Sequence, residues 1–338
     1  MTAFINHMKE FDVNESGLLQ NKELYTNLLL QMMEIESFEK ESFSLFGQKL
    51  IHGTMHLGLG EEATAVGTMA ALKDQDYLLV THRGHGQALA KGVDMNAMMA
   101  ELLGRQTGTN KGKGGSMHIC DFDNRMLGAN GIVGANGPLA CGAALTIQMK
   151  EIEDTISVLF LGDGAMNEGA MMEAMNLASV WNLPVLFILT NNGYGISTSI
   201  YQTIKNQNFT QRAQAFGIEA YECDGNNVLD VMETVKLARQ HVASGYGPAM
   251  VVEHTYRTSG HSKSDKNVYR SQEEIAFWQT HSPIQRFSSF LLEKGVLSTQ
   301  ELETIQNQAV QKVMDAIDYA RAQPHPQVDD LEKDVYAQ

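Results

Sequence analysis

Ile156-Ser157-Val158-Leu159-Phe160-Leu161-Gly162-Asp163-Gly164 is a short, mostly apolar run that stops on two glycines around an aspartate. After a stretch from Glu168 to Trp181 that reads as a helix, Pro184-Val185-Leu186-Phe187-Ile188-Leu189 repeats the pattern and stops at Asn191-Asn192. Short apolar runs bounded by turn residues suit strands buried on both faces, and strand, helix, strand is the parallel unit of α/β proteins. Its right-handed crossover points both strand ends the same way. Met250-Val251-Val252-Glu253 reads as another strand. The fold expected is α/β, a central, mainly parallel sheet with helices on both faces.

Helices bracket this core. From Asn21 to Gln48, Leu24, Leu28, Met32, Ile35 and Phe38 recur every three or four positions, the apolar stripe of one long amphipathic helix. Toward the other end, Ser298 with Glu301 makes a capping box ahead of Leu302, Ile305, Ala309, Val313 and Ile317, and the tail beyond Pro324 reads as extended. Gly104 to Gly142 holds ten of the thirty glycines and reads as a loop system. A helical extension over residues 1–50, one large domain over 51–290 and a helix with a tail over 291–338 are expected.

Hydrophobic residues make up 43% of the 338 and charged residues 19%, the balance of a globular protein rather than a disordered one. A formal net charge of -15 repels phosphate backbones, which excludes general nucleic-acid binding and leaves any phosphate to a local site. Cys120, Cys141 and Cys223 show no Cys-x-x-Cys spacing, which suits neither a disulfide scaffold nor a zinc site. The N-terminus has no basic start followed by an apolar core, and no apolar stretch reaches about 18 residues, so a cytoplasmic location is expected. Methionines such as Met171, Met172 and Met175 sit among apolar neighbours and read as core filling.

Ligands of open parallel sheets bind beyond the carboxyl ends of the strands. Gly162-Asp163-Gly164 and Asn191-Asn192 occupy two such ends. A carboxylate at Asp163, an amide oxygen at Asn192 and a backbone carbonyl near Tyr194 are hard oxygen donors of the kind magnesium takes, with phosphate and water completing its shell. The glycines allow close approach of a phosphate, and the amides opening the Glu168 helix would add donors. Each signal alone is also a common turn sequence.

Taken together, Gly162-Asp163-Gly164 followed after 26 residues by Asn191-Asn192 resembles the thiamine diphosphate fingerprint of the transketolase and 2-oxo acid dehydrogenase superfamily. HLGLGEEATAVG (His56 to Gly67), THRGHG (Thr81 to Gly86), KGKGGSMH (Lys111 to His118), NGIVGANGP (Asn130 to Pro138) and YRTSGHSKSD (Tyr256 to Asp265) resemble successive motifs of the alpha subunits of 2-oxo acid and acetoin dehydrogenases. The resemblance implies a thiamine diphosphate-binding fold, here its diphosphate-binding module. It also implies that Asp163, Asn192 and the carbonyl of Tyr194 hold Mg2+, with Gly162, Gly164 and Ala165 against the diphosphate. His82, Arg83 and His261 would contact the diphosphate, and His85 would lie near the reacting carbon, giving His85 and His261 as catalytic histidines. Gly131 would touch the aminopyrimidine and Val133 would wedge the cofactor into a bent shape. One departure is Glu36, within Ile35-Glu36-Ser37-Phe38-Glu39, where the family usually has arginine.

In such enzymes the carboxylate that activates the cofactor comes from a beta subunit, so no glutamate of this chain, including Glu61 and Glu62, is assigned that task. A heterotetramer of two alpha and two beta chains is implied, feeding a lipoyl acyltransferase and a flavin dehydrogenase. Among substrates the motifs look closest to acetoin dehydrogenase, with pyruvate next and branched-chain 2-oxo acids third. A nicotinamide dehydrogenase lacks its Gly-x-Gly-x-x-Gly here. A split transketolase shares the magnesium fingerprint but not KGKGGSMH or YRTSGHSKSD. A subunit that had lost catalysis would not be expected to keep Asp163, Asn192, Arg83 and His261 together.

Overall fold

A computed structural model describes residues 5–13 and 20–336. In chain order the strands are β1 (Tyr77–Thr81), β2 (Met126–Asn130), β3 (Ser157–Gly162), β4 (Val185–Asn191), the two-residue pair β5 (Tyr194–Gly195) and β6 (Thr198–Ser199), β7 (Glu219–Asp224) and β8 (Ala249–His254). Six of them form one sheet in the order β2-β1-β3-β4-β8-β7, every neighbouring pair parallel. The expected α/β architecture is present.

Alternate side chains of each strand enter different layers. Leu78, Val80, Val158, Phe160, Leu186 and Ile188 pack with Met98, Val231, Val235, Val313 and Ile317, from helices Met95–Leu102, Val228–Ala243 and Thr299–Ala322. Leu79, Leu159, Leu161, Phe187 and Leu189 pack with Ala140, Ala144, Met171 and Met175, from helices Asn136–Met149 and Gly169–Val180. Both faces of the sheet are thus covered, and β4 is buried along its whole length. The methionines at 171 and 175 fill core, as read.

The first long helix runs Lys22–Gly47 and brings Phe38 and Leu45 into the same apolar cluster as the sheet. Its Glu34 pairs with Lys312 at 2.7 Å, on the helix Thr299–Ala322 that Ser298 and Glu301 cap as anticipated. Glu36 points to Lys40 one turn on, at 2.8 Å.

Two expectations need correction. Gly104 to Gly142 is not all loop, because it contains β2 and the start of helix Asn136–Met149. Glycine there serves contact rather than disorder: a Cβ on Gly137 would lie 2.9 Å from Ala174 Cβ, so its absence lets two helices close on each other. The tail beyond Pro324 is not extended but folds through a 3-10 turn at Val328–Asp330. Lys111 and Lys113 reach its Asp334.

Glu253 of β8 is fully buried, with Oε1 accepting the Thr68 hydroxyl at 2.7 Å. Burial pushes its carboxyl up to about 8 from 4.5, although the Thr68 hydrogen bond opposes this. A folded-state value above the unfolded one means that its contribution to stability is full below 4.5 and is lost as pH rises through about 8. Glu253→Gln, which cannot ionise, should match the wild type at about pH 5 and exceed it at about pH 9 by on the order of a few kcal/mol. Denaturant unfolding of both proteins at the two pH values checks this.

Candidate active site

Strand order turns about between β1 and β3: the chain leaves β1 toward β2 on one side, and leaves β3 toward β4 on the other. Such a reversal splays the loops at the carboxyl ends and opens a crevice. A cavity of about 540 Å3 lies there, lined from the ends of β1, β2, β3 and β4. A larger hollow of about 1110 Å3 lies elsewhere, but Lys9 pairs with Asp230 and Arg239 with Asp154 across it, which leaves those charges occupied with one another.

The floor of the smaller cavity is acidic. Asp163 is 3% exposed; its Oδ1 accepts the Gly164 N–H at 2.8 Å, while Oδ2 is buried without a hydrogen-bond partner. Burial raises its carboxyl to about 6. Asn192 donates from Nδ2 to Glu61 Oε1 at 2.7 Å, and its Oδ1 accepts Tyr194 N–H at 3.3 Å. Since a carboxylate only accepts, Glu61 fixes which end of the Asn192 amide is oxygen. A Cβ built on Gly164 would meet nothing closer than Gly195 Cα at 3.7 Å, so backbone is bare on this side.

The walls are basic. Arg83 is nearly buried and donates to the carbonyls of Leu57 and His261, the second at 3.1 Å. Burial lowers it to about 10, so it stays charged at neutral pH. Arg257, 1% exposed, donates to Tyr269 Oη at 2.9 Å and Ile196 O at 3.1 Å. His56, His82 and His261 cluster beside them, ring centroids 4.4, 4.8 and 5.6 Å apart. Burial first, then neighbouring positive groups including Arg83, pull these imidazoles down to about 2, 3 and 4, so all three are neutral at pH 7. Their ligand atoms lie close enough together for a metal, yet two guanidiniums at the same wall favour an anion there. An acidic floor with an unpaired oxygen under a cationic wall suits a divalent cation bridged to a polyanion.

Comparison with known proteins identifies the family. A family described as dehydrogenase E1 component matches residues 30–329. The chain belongs to that family. It is 40% identical over 325 residues to the alpha subunit of acetoin:2,6-dichlorophenolindophenol oxidoreductase of Bacillus subtilis, covering 96% of this chain and 97% of that one. It is 38% identical over 324 residues to the protein of the same description from Cupriavidus necator, with the same coverage of 96% and 97%. The pyruvate dehydrogenase E1 component subunit alpha of Rhizobium meliloti is 38% identical over 306 residues, covering 90% of this chain and 88% of that relative.

In this E1 chain every site residue singled out from the sequence lines the one cavity, except His85. Gly162 closes β3, and Asp163, Gly164 and Ala165 follow it; Asn192 and Tyr194 follow β4; His82 and Arg83 follow β1; Gly131 and Val133 follow β2; His261 comes from the loop after β8. The donors nearest Asp163 belong to the 3-10 turn Gly164–Asn167 rather than to the α-helix, which begins only at Gly169. Val133 is 50% exposed and Ile132 71% exposed, so the wedge position stands at the open mouth.

His85, expected near the reacting carbon, is 0% exposed and lies behind the wall, held by Glu39 and Ser116. It does not face the cavity. Residue-level reasoning missed His56, Arg257 and the orienting contact of Glu61. All three lie inside motifs quoted from the sequence, but only the fold shows which motif positions face inward.

Behind the glycine-rich loop sits Glu101, 1% exposed. Its Oε2 accepts N–H from Asn110 and Gly112, and its Oε1 from Gly114 and Gly115, all at 2.8–2.9 Å. A carboxylate satisfied by four amides fixes a segment that has few side chains to pack. Glu101→Ala should cost on the order of 3 kcal/mol or more and leave those four amides unprotected. Hydrogen exchange resolved to residues 108–116, measured beside the melting temperature, checks both parts.

Proposed function

We propose that this chain is the alpha subunit of a thiamine diphosphate-dependent acetoin dehydrogenase. Membership of the E1 family implies that cofactor, and the relatives most similar over nearly the full chain include alpha subunits named for acetoin. The observation that carries the site assignment is the buried Asp163 Oδ2, left without a partner beside Asn192 on a floor of bare backbone.

Mg2+ fits that oxygen, with the Asn192 amide oxygen and the Tyr194 carbonyl completing the protein's share of its ligands. Gly162, Gly164 and Ala165 would bear on the diphosphate, Arg83 would neutralise its charge, and His82 and His261 would hydrogen-bond its outer oxygens. When bound, thiamine diphosphate supplies an acidic thiazolium carbon and an electron sink, which together allow a C–C bond next to a carbonyl to be broken. This chain's residues anchor and orient. Neutral His261 can pass a proton at the cavity wall, which makes it the histidine of this chain to assign a catalytic part.

In acetoin the bond between the carbonyl and carbinol carbons would break, the carbinol half leaving as acetaldehyde and the carbonyl half remaining as a two-carbon unit at the aldehyde level, which a lipoyl disulfide or another two-electron acceptor then oxidises to the acetyl level. The activating glutamate is assigned to a beta subunit, which the description of the relatives as alpha subunits implies as partner. The exposed mouth at Ile132 and Val133 is where that second half would close the site. A two-alpha, two-beta assembly serving lipoyl acyltransferase and flavin dehydrogenase components in the cytoplasm goes with this reading. Pyruvate is the second reading, favoured by the Rhizobium relative.

Dye-coupled oxidation of acetoin and of pyruvate by the chain alone and co-expressed with its beta subunit, with Mg2+ and thiamine diphosphate, tests the proposal. Acetoin turnover only in the co-expressed sample is expected, and pyruvate turnover in its place would reassign the substrate. Asp163→Ala should fold normally and lose Mg2+-dependent cofactor binding by about 100-fold or more, as expected for loss of a charged ligand in a buried site. Unchanged affinity in that variant would sink the site assignment.

A further inference from the structure

His85 belongs to a chain of contacts that links four segments behind the cavity lining. Glu39 Oε2 accepts from His85 Nδ1 at 3.0 Å, and His85 Nε2 meets Ser116 Oγ at 2.9 Å. Glu39 is 1% exposed, His85 0% and Ser116 4%, so water does not compete for any of these bonds. The other Glu39 oxygen accepts Gly58 N–H at 2.9 Å, and Phe38 packs its ring against the imidazole at 5.7 Å. Because Glu39 can only accept, Nδ1 must carry a proton, while the Ser116 hydroxyl fits Nε2 as donor or acceptor. The chain is satisfied from end to end, which in a dry interior makes it stiff.

Its members come from different segments: Glu39 from the helix Lys22–Gly47, Gly58 from HLGLGEEATAVG, His85 from the start of the helix His85–Lys91 that follows β1, and Ser116 from the glycine-rich loop. Ser116 precedes Met117, which lines the cavity, and Met117 Sδ stands 3.9 Å from where a Cβ on Gly131 would be. Glu101 fixes the loop as far as Gly115. From there Gly115, at φ +64, turns the backbone, and Ser116 is the next residue held by its side chain.

We propose that Glu39, His85 and Ser116 form a positioning chain that sets Met117 against the Gly131 side of the cavity, the side that receives the organic ring of the cofactor rather than its diphosphate. This rests on the thiamine diphosphate reading above. His85 is then a positioning residue: it touches no substrate or cofactor and acts through Ser116. The diphosphate floor at Asp163 and Asn192 makes none of these contacts, so loss of the chain should separate the two ends of the ligand energetically.

The test uses the chain assembled with its beta subunit, as wild type, Ser116→Ala and Glu39→Gln, and measures binding of thiamine diphosphate and of inorganic diphosphate, each with Mg2+. Both variants should bind thiamine diphosphate about tenfold more weakly and inorganic diphosphate within about twofold of wild type, the cost of one or two buried hydrogen bonds falling on the ring end alone. Equal losses for both ligands would mean a merely structural role, and no loss for either would mean that Met117 does not depend on the chain; either overturns the proposal. If wild type bound no thiamine diphosphate, the functional reading would fail by itself. Hydrogen exchange of the unliganded chain would still decide the positioning role: the amides of Met117 and His118 should exchange faster in both variants while the β4 amides do not, and unchanged exchange would overturn it.

Discussion

Parallel pairing of β3 with β4 is the constraint on which the site rests. The register runs from Ser157 opposite Val185 to Gly162 opposite Thr190, so Asp163 comes level with Asn191, and Asn192 leaves the sheet one residue beyond it. Alternation of polar and apolar residues cannot enforce that register, because β4 is apolar enough to be buried on both faces. What stops a slip is the punctuation at the strand ends, together with a crossover helix whose Met171 and Met175 must meet the sheet where they do. A one-residue slip would shift the carboxylate relative to the amide by about 3 Å, more than a shared cation tolerates.

Charge is distributed with equal economy of position. Acidic groups lie under the cavity and guanidiniums along its wall, with neutral imidazoles between. Elsewhere the buried carboxylates work on the backbone: Glu101 holds four amides, and Glu39 holds Gly58 and, through His85, Ser116. Loops poor in side chains thereby acquire a fixed shape that hydrophobic packing alone could not give them.

The sheet core, the two long helices and the floor of the site were legible because their signals are local. Apolar runs ending on Gly162 and Asn191, the stripe from Leu24 to Phe38, and Ser298 with Glu301 each act within a few residues. Strand β2 was not legible, since Met126-Leu127-Gly128-Ala129-Asn130 offers little β-branched or aromatic content and takes its place by pairing with β1, about 50 residues back. The orientation of His85 was not legible for a related reason. Its motif places it near the site, but the direction of a side chain at the opening of the helix His85–Lys91 depends on Glu39 and Ser116, which sequence spacing does not connect.

The meeting of the helices Lys22–Gly47 and Thr299–Ala322 has a consequence for biosynthesis. Phe38 and Leu45 share a cluster with Val313 and Ile317, which are synthesised well after them. Until the late helix emerges, the early one has an apolar flank with nothing to cover it, and the sheet between them lacks part of one layer. The two outer helices can therefore meet only after Val313 and Ile317 have been made, and the flank of the early one stays uncovered for tens of seconds at about 5–20 residues per second. The length of that interval is set by the position of the two outer helices, not by any weakness of the finished core.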